Sequence, residues 1–301
     1  MHNIKTNFDK VYIVVKNLFK DQITSEGNFL RCGVKPKFSD IEIITLSLVS
    51  EALGIDSENY LFGKLKTEFM NDFPNLIDRS QYNVRRRKLF YKIEEVRALM
   101  AKEIIQEEYI HIVDSMPVEV CKLSRARRSR VCKESFETSP DKGYCAAQKS
   151  FYYGYKLHGL CTINGVFVSF DMTKASVHDI HYLKDVKEQI KNSFLLGDKA
   201  YLSEEIQTDL FSSSRIQLET PTRVNQYSFK KQSFHIRKAR KRIETLFSQL
   251  CDQFMIRRNY AKSFHGLKTR VLSKITALTI LQYINKSFTN RNLNCIKYAL
   301  A

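Results

Sequence analysis

The chain has 301 residues, 43% of them apolar, which is enough to bury a sizeable core and too apolar for a disordered chain. Forty-nine Lys and Arg against 32 Asp and Glu leave a net charge of +17, so a polyanion is the default partner and nucleic acid the commonest one. No apolar run of about 18 residues is present to span a bilayer, and the N-terminal MHNIKTNFDK is too polar for a signal peptide; a cytoplasmic protein with no membrane partner is expected.

The seven cysteines (32, 121, 132, 145, 161, 251, 295) are odd in number, scattered and without a C-x-x-C. Reduced thiols are expected, not a disulfide frame or a structural zinc site. The charge is uneven. From Arg223 onward there are seventeen Lys and Arg against Glu244 and Asp252 alone, +15 of the total. A surface that holds a phosphate backbone needs such a one-signed stretch, because each phosphate contact needs its own cation.

Taken in order, a first helix is expected around Val11 to Phe19. Residues 39–53 read as a second: Ser39 and Glu42 form a capping box, Ile41, Ile44, Leu48 and Leu53 recur at helical spacing, and Gly54 closes it. A helix from Ser57 to Met70, closed by Pro74, and one from Ser80 to about Gln106 follow. The last carries Arg85, Arg86, Arg87 and Lys88, with Arg79 just before. Short helices with a basic third one suggest a helix-turn-helix-type DNA-binding domain at 1–107. The alternative is a small bundle whose basic run is a solvated face.

At 109–114, YIHIVD, the pattern switches to a strand ending in Asp114. Residues 121–150, rich in Arg, Ser and Lys and including Arg127 and Arg128, read as an exposed basic loop. Two alternating runs, Phe151 to Leu157 and Val166 to Met172, flank Asn164-Gly165 and predict a hairpin. A helix over 179–191 is expected next. The apolar run Phe194, Leu195, Leu196 then reads as a strand buried on both faces, and Gly197 and Asp198 follow its carboxyl end, where ligands collect in open α/β sheets. Asp198 has a second reading as a cap of the next helix, near Ser203. A helix at 203–211, a strand at 215–219 and, after Pro221, a polar basic stretch precede a long helix from Ser233 to Phe254. Its apolar stripe is Ile236, Ala239, Ile243, Leu246, Phe247, Leu250 and Phe254. Glu244 sits at the edge of that stripe among Arg237, Arg240, Lys241 and Ser248. An ordinary ion pair with Arg240 or Lys241 is its bland explanation.

Asp114, Asp198 and Glu244 converge if the first and fourth strands are parallel neighbours and the last helix packs across their edge. Three carboxylates at one point repel unless cations neutralise them, and an oxygen-only cluster suits Mg²⁺ or Mn²⁺. Two such ions can serve phosphodiester chemistry. His178-x-x-His181 with Cys161 lacks a second ligand pair suited to zinc. With no G-x-x-x-x-G-K-[ST], ATP is not an expected partner.

This order of residues strongly resembles the bacterial insertion-sequence transposases with a DDE, RNase H-like core, and within them looks most like the nine-eight-two insertion-sequence group. HIVDSMPVEVC, GYKLHGL at 154–160, Val-His-Asp at 177–179, LLGDKAY and RKRIETLFSQL carry the likeness, with FPNLIDRSQYNVRRRKL at 73–89 and NYAKSFHGLKTRVLSKI at 259–275. The spacing of the acids is 84 residues, then 46.

The resemblance implies an α/β fold: an RNase H-like mixed five-stranded sheet with flanking helices in a domain over 108–301 that includes basic C-terminal helices, preceded by the all-α domain. It implies Asp114, Asp198 and Glu244 as a metal-binding catalytic triad holding Mg²⁺ or Mn²⁺, two ions in all. Arg240, four residues before the glutamate, matches an arginine of related groups; Arg237 and Cys251 replace the tyrosine and lysine of the better-known signature. Arg85, Arg86, Arg87, Lys88, Arg127, Arg128, Arg237, Arg240, Lys241, Arg257, Arg258 and Lys262 are the candidate DNA contacts, and His158 and His178 secondary candidates. The implied partners are DNA, as element ends and target, and a second copy in a synaptic complex. The implied location is the cytoplasm, at the nucleoid. A stand-alone metal nuclease and a DNA-binding relic without catalysis are the alternatives.

Overall fold

The computed structural model describes residues 3–221, 232–258 and 260–300. The polar basic stretch expected after Pro221 falls at 222–231, outside the described residues. In chain order the elements are α1 (Ile4–Leu18), α2 (Asp40–Ala52), α3 (Glu58–Glu68), α4 (Arg79–Lys88), α5 (Phe90–Ile104), β1 (Ile110–Cys121), β2 (Asp141–Cys145), β3 (Ser150–Thr162), β4 (Phe167–Lys174), α6 (Leu183–Gln189), β5 (Ser193–Leu196), α7 (Glu204–Ser214), β6 (Ile216–Glu219), α8 (Phe234–Asp252) and α9 (Phe264–Ile284). The chain divides into two compact units, one of 1–104, 250–261 and 265–301, the other of 105–249 and 262–264.

The first unit is all helical. The Ser39–Glu42 capping box forms in both directions: Ser39 Oγ accepts from the Glu42 amide, and Glu42 Oε2 accepts from the Ser39 amide at 2.6 Å. The single helix expected from Ser80 to Gln106 is two. Leu89 leaves helical geometry between α4 and α5, and its amide bonds back to Arg85. Each half buries its own residues, Tyr82 and Arg86 on α4 and Ile93, Val96 and Met100 on α5. No glycine or proline marks the break. The core gathers Ile4, Phe8, Phe38, Ile43, Leu46, Leu61, Phe62, Leu65, Phe73 and Tyr82.

Most of the C-terminal residues, 250–261 and 265–301, fall in this compact unit. The reason is α9, which is buried nearly all round from Leu267 to Ile284 and so needs neighbours on every side. It meets α2 through Ser47 Oγ, which donates to Ser273 Oγ at 3.0 Å, and through a buried Lys274–Glu51 ion pair.

The second unit is a curled mixed sheet with helices on its faces, of RNase H-like type. Its order is β2-β3-β1-β5-β6, with β4 also on β3. β2 and β4 pair with successive stretches of β3, 150–154 and 155–161, so the sheet is five strands wide with β2 continuing the line of β4. Among the described residues only the β1–β5 and β5–β6 pairs are parallel. The hairpin forms as expected, with Gly165 at φ +85° in its turn.

Three expectations are corrected here. The strand ending at Asp114 runs on to Cys121, because β3 pairs with it throughout. Past Ile112 no strand among the described residues pairs with its other side, the setting in which a proline such as Pro117 is tolerated. The loop at 121–150 contains β2 and a 3-10 turn at Leu123–Arg125. β5 is not buried on both faces, since Phe194 is 48% exposed.

Candidate active site

The parallel pairing of β1 with β5 sets Ile110, His111 and Ile112 opposite Phe194, Leu195 and Leu196. Asp114 and Asp198 each lie two residues past the last of these pairs. Asp198 follows the end of β5, and Asp114, still paired with β3, stands at the corresponding level of β1, on strands whose backbones run about 4.8 Å apart. Asp198 Oδ1 accepts from the Ala200 amide at 2.7 Å and caps a 3-10 turn, Lys199–Tyr201. The cap of α7 is Ser203, whose Oγ accepts from the Ile206 amide. Asp198 thus caps a turn, but not that helix.

Asp114 Oδ1 accepts from the Ser115 amide at 2.8 Å. Its carboxyl is nevertheless pushed up to about 7. Burial is the largest cause, and repulsion from Asp198 and Asp179 adds to it; the Ser115 amide and Arg240 pull the other way.

Arg240 reaches this neighbourhood because α8 lies on the face of the sheet that carries Asp114. The cross-strand partner of Asp114 is Gly159, and paired residues project to the same face. A Cβ on Gly159 would stand 2.9 Å from Phe167 Cε1 and 3.3 Å from Phe247 Cε1 of α8. Ile243, Leu246 and Phe247 bury the helix against the sheet, Arg240 is half-buried, and Glu244 between them is exposed. Among the described residues no three His, Cys, Asp or Glu side chains stand close enough to hold one metal ion.

Two of the three acids are thus side by side, and the donor set fits a hard cation. Both are carboxylates, they repel each other, and burial with that repulsion makes Asp114 hold its proton toward neutrality. Tyr201 supports the fit. Its buried hydroxyl has no hydrogen-bond partner among the described residues; burial first, and then the field of Asp114, Asp179 and Asp198, raises its pKa well above that of a free tyrosine. A hydrated ion between the carboxylates is the kind of group that satisfies such an orphan. Asp114 and Asp198 would hold it.

The remaining candidates separate by exposure. Arg86 is buried on Glu58 at 3.0 Å, and Arg85 bonds Asp40 at 2.7 Å and the Phe38 carbonyl; neither presents a free guanidinium to a phosphate. Arg87 is half-buried and Lys88 exposed. Arg127, Arg128, Arg237, Lys241, Arg257, Arg258 and Lys262 are exposed, with Arg258 near Asp56 at 3.6 Å. His158 is wholly buried: its Nε2 bonds Thr173 Oγ1 at 2.8 Å, its ring stacks on Tyr182, and burial pushes its pKa down to about 4. That is the setting of a core histidine, out of reach of DNA. His178 is exposed, and its Nδ1 accepts from the Ile180 amide. All seven cysteines are free.

Two residues beside the acids are not among the candidate site residues, and the sequence places Asp179 only near a helix cap. Asp179 accepts from Ser115 Oγ at 3.0 Å and pairs with Lys156 at 3.0 Å. Both lie in quoted motifs, Val-His-Asp and GYKLHGL; the motifs were the available signal, and the pairing across 23 residues was not legible.

A mixed RNase H-like sheet thus gathers two carboxylates just past the paired stretch of its adjacent parallel strands, the place where open α/β sheets bind ligands. The family model described as "Transposase DDE domain" matches residues 105–280, more than half of the chain, and the protein belongs to that family of DDE transposases. The match begins with the sheet unit and continues into α9. No curated protein matches the chain. Among the described residues no helix is long and apolar enough to cross a membrane.

Proposed function

We propose that this protein is the transposase of a bacterial insertion sequence, of the nine-eight-two type, which binds the terminal inverted repeats of its element, cleaves them and joins the freed 3′-hydroxyl to target DNA. The observation that carries the reading is the juxtaposition of Asp114 and Asp198, each two residues past the paired stretch of β1 and β5, under a helix whose Arg240 charge reaches Asp114. Asp114 and Asp198 bind the metal, Mg²⁺ or Mn²⁺ and two ions in all. Glu244, one turn past Arg240 on α8, is the third ligand. When bound, such an ion polarises the scissile phosphate and lowers the pKa of the attacking hydroxyl.

The protein's own residues position and hold. The Ser115 and Ala200 amides each fix one oxygen of a catalytic carboxylate. Arg240 supplies positive charge where the phosphate arrives. Exposed Arg127, Arg128, Arg237 and Lys241, with Lys88, Arg257, Arg258 and Lys262, hold the DNA backbone. The helical unit reads the element ends, two copies bridge them at the nucleoid, and ATP is not consumed.

The test is cleavage of a labelled duplex carrying the DNA that flanks the gene, with Mg²⁺, Mn²⁺, Ca²⁺ or EDTA. Wild type is expected to cut at a defined end with Mg²⁺ or Mn²⁺ only. Asp198→Ala and Glu244→Gln are expected to bind the duplex and leave it uncut. A second reading, a DNA-binding protein without catalysis, is favoured by the exposure of Glu244 and by the lack of a three-acid cluster among the described residues. Specific binding with no cleavage under any metal would establish it.

A further inference from the structure

From the Asp179 contacts we infer that Asp179 is a positioning residue for the catalytic carboxylate Asp114, acting through Ser115 and held in place by Lys156. The inference rests on the proposed metal-dependent cleavage.

Side chains alternate along a strand, so Ser115 points to the face of β1 opposite Asp114. On that face the chain after β4 folds back over the sheet. There Asp179 Oδ1 accepts from Ser115 Oγ and from Lys156 Nζ, each at 3.0 Å. Lys156 Nζ also donates to the Val177 carbonyl at 2.8 Å. The 177–179 segment is thereby tied to β3 at two points, and through Ser115 to β1. The Ser115 amide in turn donates to Asp114 Oδ1 at 2.8 Å. One residue thus joins the carboxylate on one face to the anchor on the other.

The link matters because of what β1 lacks here. β5 leaves it after Ile112, so from Asp114 onward, among the described residues, β1 is paired along β3 alone. A bond at Ser115 from the second face replaces the missing strand. The side chains of Lys156 and Asp179 are 16% and 20% exposed. A largely desolvated pair adds little net stability, so its worth lies in where it holds things. Carboxylates that orient a metal ligand from behind act in the same way, and their loss weakens metal binding and turnover.

The experiment measures Mn²⁺ binding to the full chain by the electron paramagnetic resonance of free Mn²⁺, alongside cleavage of the flanking duplex and DNA affinity in EDTA. Asp179→Ala and Ser115→Ala are each expected to weaken Mn²⁺ binding about tenfold or more and to slow cleavage in step, with DNA affinity unchanged. Asp179→Asn keeps an oxygen acceptor for Ser115 Oγ and is expected to stay close to wild type. The double variant Ser115→Ala/Asp179→Ala is expected to be no worse than the poorer single, because both cut one link. Mn²⁺ binding by Asp179→Ala equal to wild type, or additive losses in the double variant, would overturn the inference while leaving the proposed function standing, provided Asp198→Ala abolishes binding. Should Asp179→Ala not fold, Ser115→Ala and Asp179→Asn decide. A wild type that binds no Mn²⁺ would remove the metal reading itself, and the inference with it.

Discussion

Asp114 and Asp198 are register equivalents, each two residues beyond the Ile112–Leu196 pair that joins β1 to β5. Their closeness has a consequence for stability. Burial, with repulsion from Asp198 behind it, raises the Asp114 carboxyl from 3.8 to about 7. The folded state therefore keeps a proton that the unfolded chain releases. The stability this contributes is full below about pH 4 and is lost as pH rises through 7. At about 1.4 kcal/mol per pKa unit the loss is on the order of 4 kcal/mol. In urea unfolding of metal-free protein, wild type is expected to lose that much relative to Asp114→Asn between pH 4 and pH 8. Mg²⁺ at pH 8 is expected to restore part of it to wild type alone, because only the folded carboxylates bind the ion. A constant difference between the two proteins across that range would show that Asp114 ionises as a free carboxyl does.

Gly159 is where α8 comes down on the sheet. Adding one methyl group there puts it 2.9 Å from Phe167 and 3.3 Å from Phe247, tighter than packed side chains tolerate. Gly159→Ala is expected to cost about 1–3 kcal/mol, as overpacking does, and to lower cleavage further than the stability change explains, because Arg240 and Glu244 ride on the displaced helix. Gly63 is the control. It lies inside α3 with nothing within 4 Å of the new methyl, so Gly63→Ala is expected to stabilise by about 0.5–1 kcal/mol. Denaturant midpoints with cleavage rates on the same samples separate the two cases.

What could be read from the sequence was what short-range chemistry decides. Ser39 and Glu42 announce the start of α2, Asn164-Gly165 places the β3–β4 turn, and the apolar run before Asp198 marks β5. Both acids follow from those elements, and their parallel register needed only the inference that β1 and β5 are neighbours. β2 was not legible. Asp141, Lys142, Gly143, Tyr144 and Cys145 show no apolar alternation, and they form a strand because the edge of β3 beyond β4 is open to pair with them. The break at Leu89 carries no glycine or proline and comes from the separate packing of α4 and α5. The company of α9 was hidden for the opposite reason: a helix buried on all sides has no polar face to give its surroundings away. Asp179 stayed outside the candidate site because its meaning lies in Ser115 and Lys156, brought to it by the return of the chain after β4.

Lys274 is the clearest structural charge in the helical unit. Its ammonium is 2% exposed and meets Glu51 and the Phe254 carbonyl; burial pushes its pKa down, and Glu51 opposes that most strongly. Removing one partner leaves a buried charge alone, so Lys274→Met is expected to cost about 3–5 kcal/mol. Glu51→Leu/Lys274→Met removes both charges and is expected to recover most of that loss, since two apolar side chains of similar size suit the same site. Chemical denaturation of the singles and the double gives the coupling directly. A double variant as poor as the singles would mean that the pair itself stabilises the unit.

The basic residues are expected to divide into two kinds under the same assay. Arg127 and Arg128 are exposed in the segment between β1 and β2, whereas Arg86 is buried against Glu58 and over the Tyr82 ring at 5.7 Å. A phosphate contact releases counterions when it forms, so each of Arg127→Ala and Arg128→Ala is expected to weaken DNA binding across all sequences and to reduce the slope of log K against log salt by about 1. Neither is expected to move the thermal midpoint. Arg86→Ala is expected to leave that slope alone and to destabilise the protein by about 3 kcal/mol, because Glu58 loses a buried counter-charge that Arg79 and Arg270, both 3.9 Å away, do not replace. Salt titrations of duplex affinity paired with melting curves decide it: a lowered slope in Arg86→Ala at unchanged stability would return Arg86 to the DNA-contacting set and reopen α4 as a recognition helix along its whole basic face.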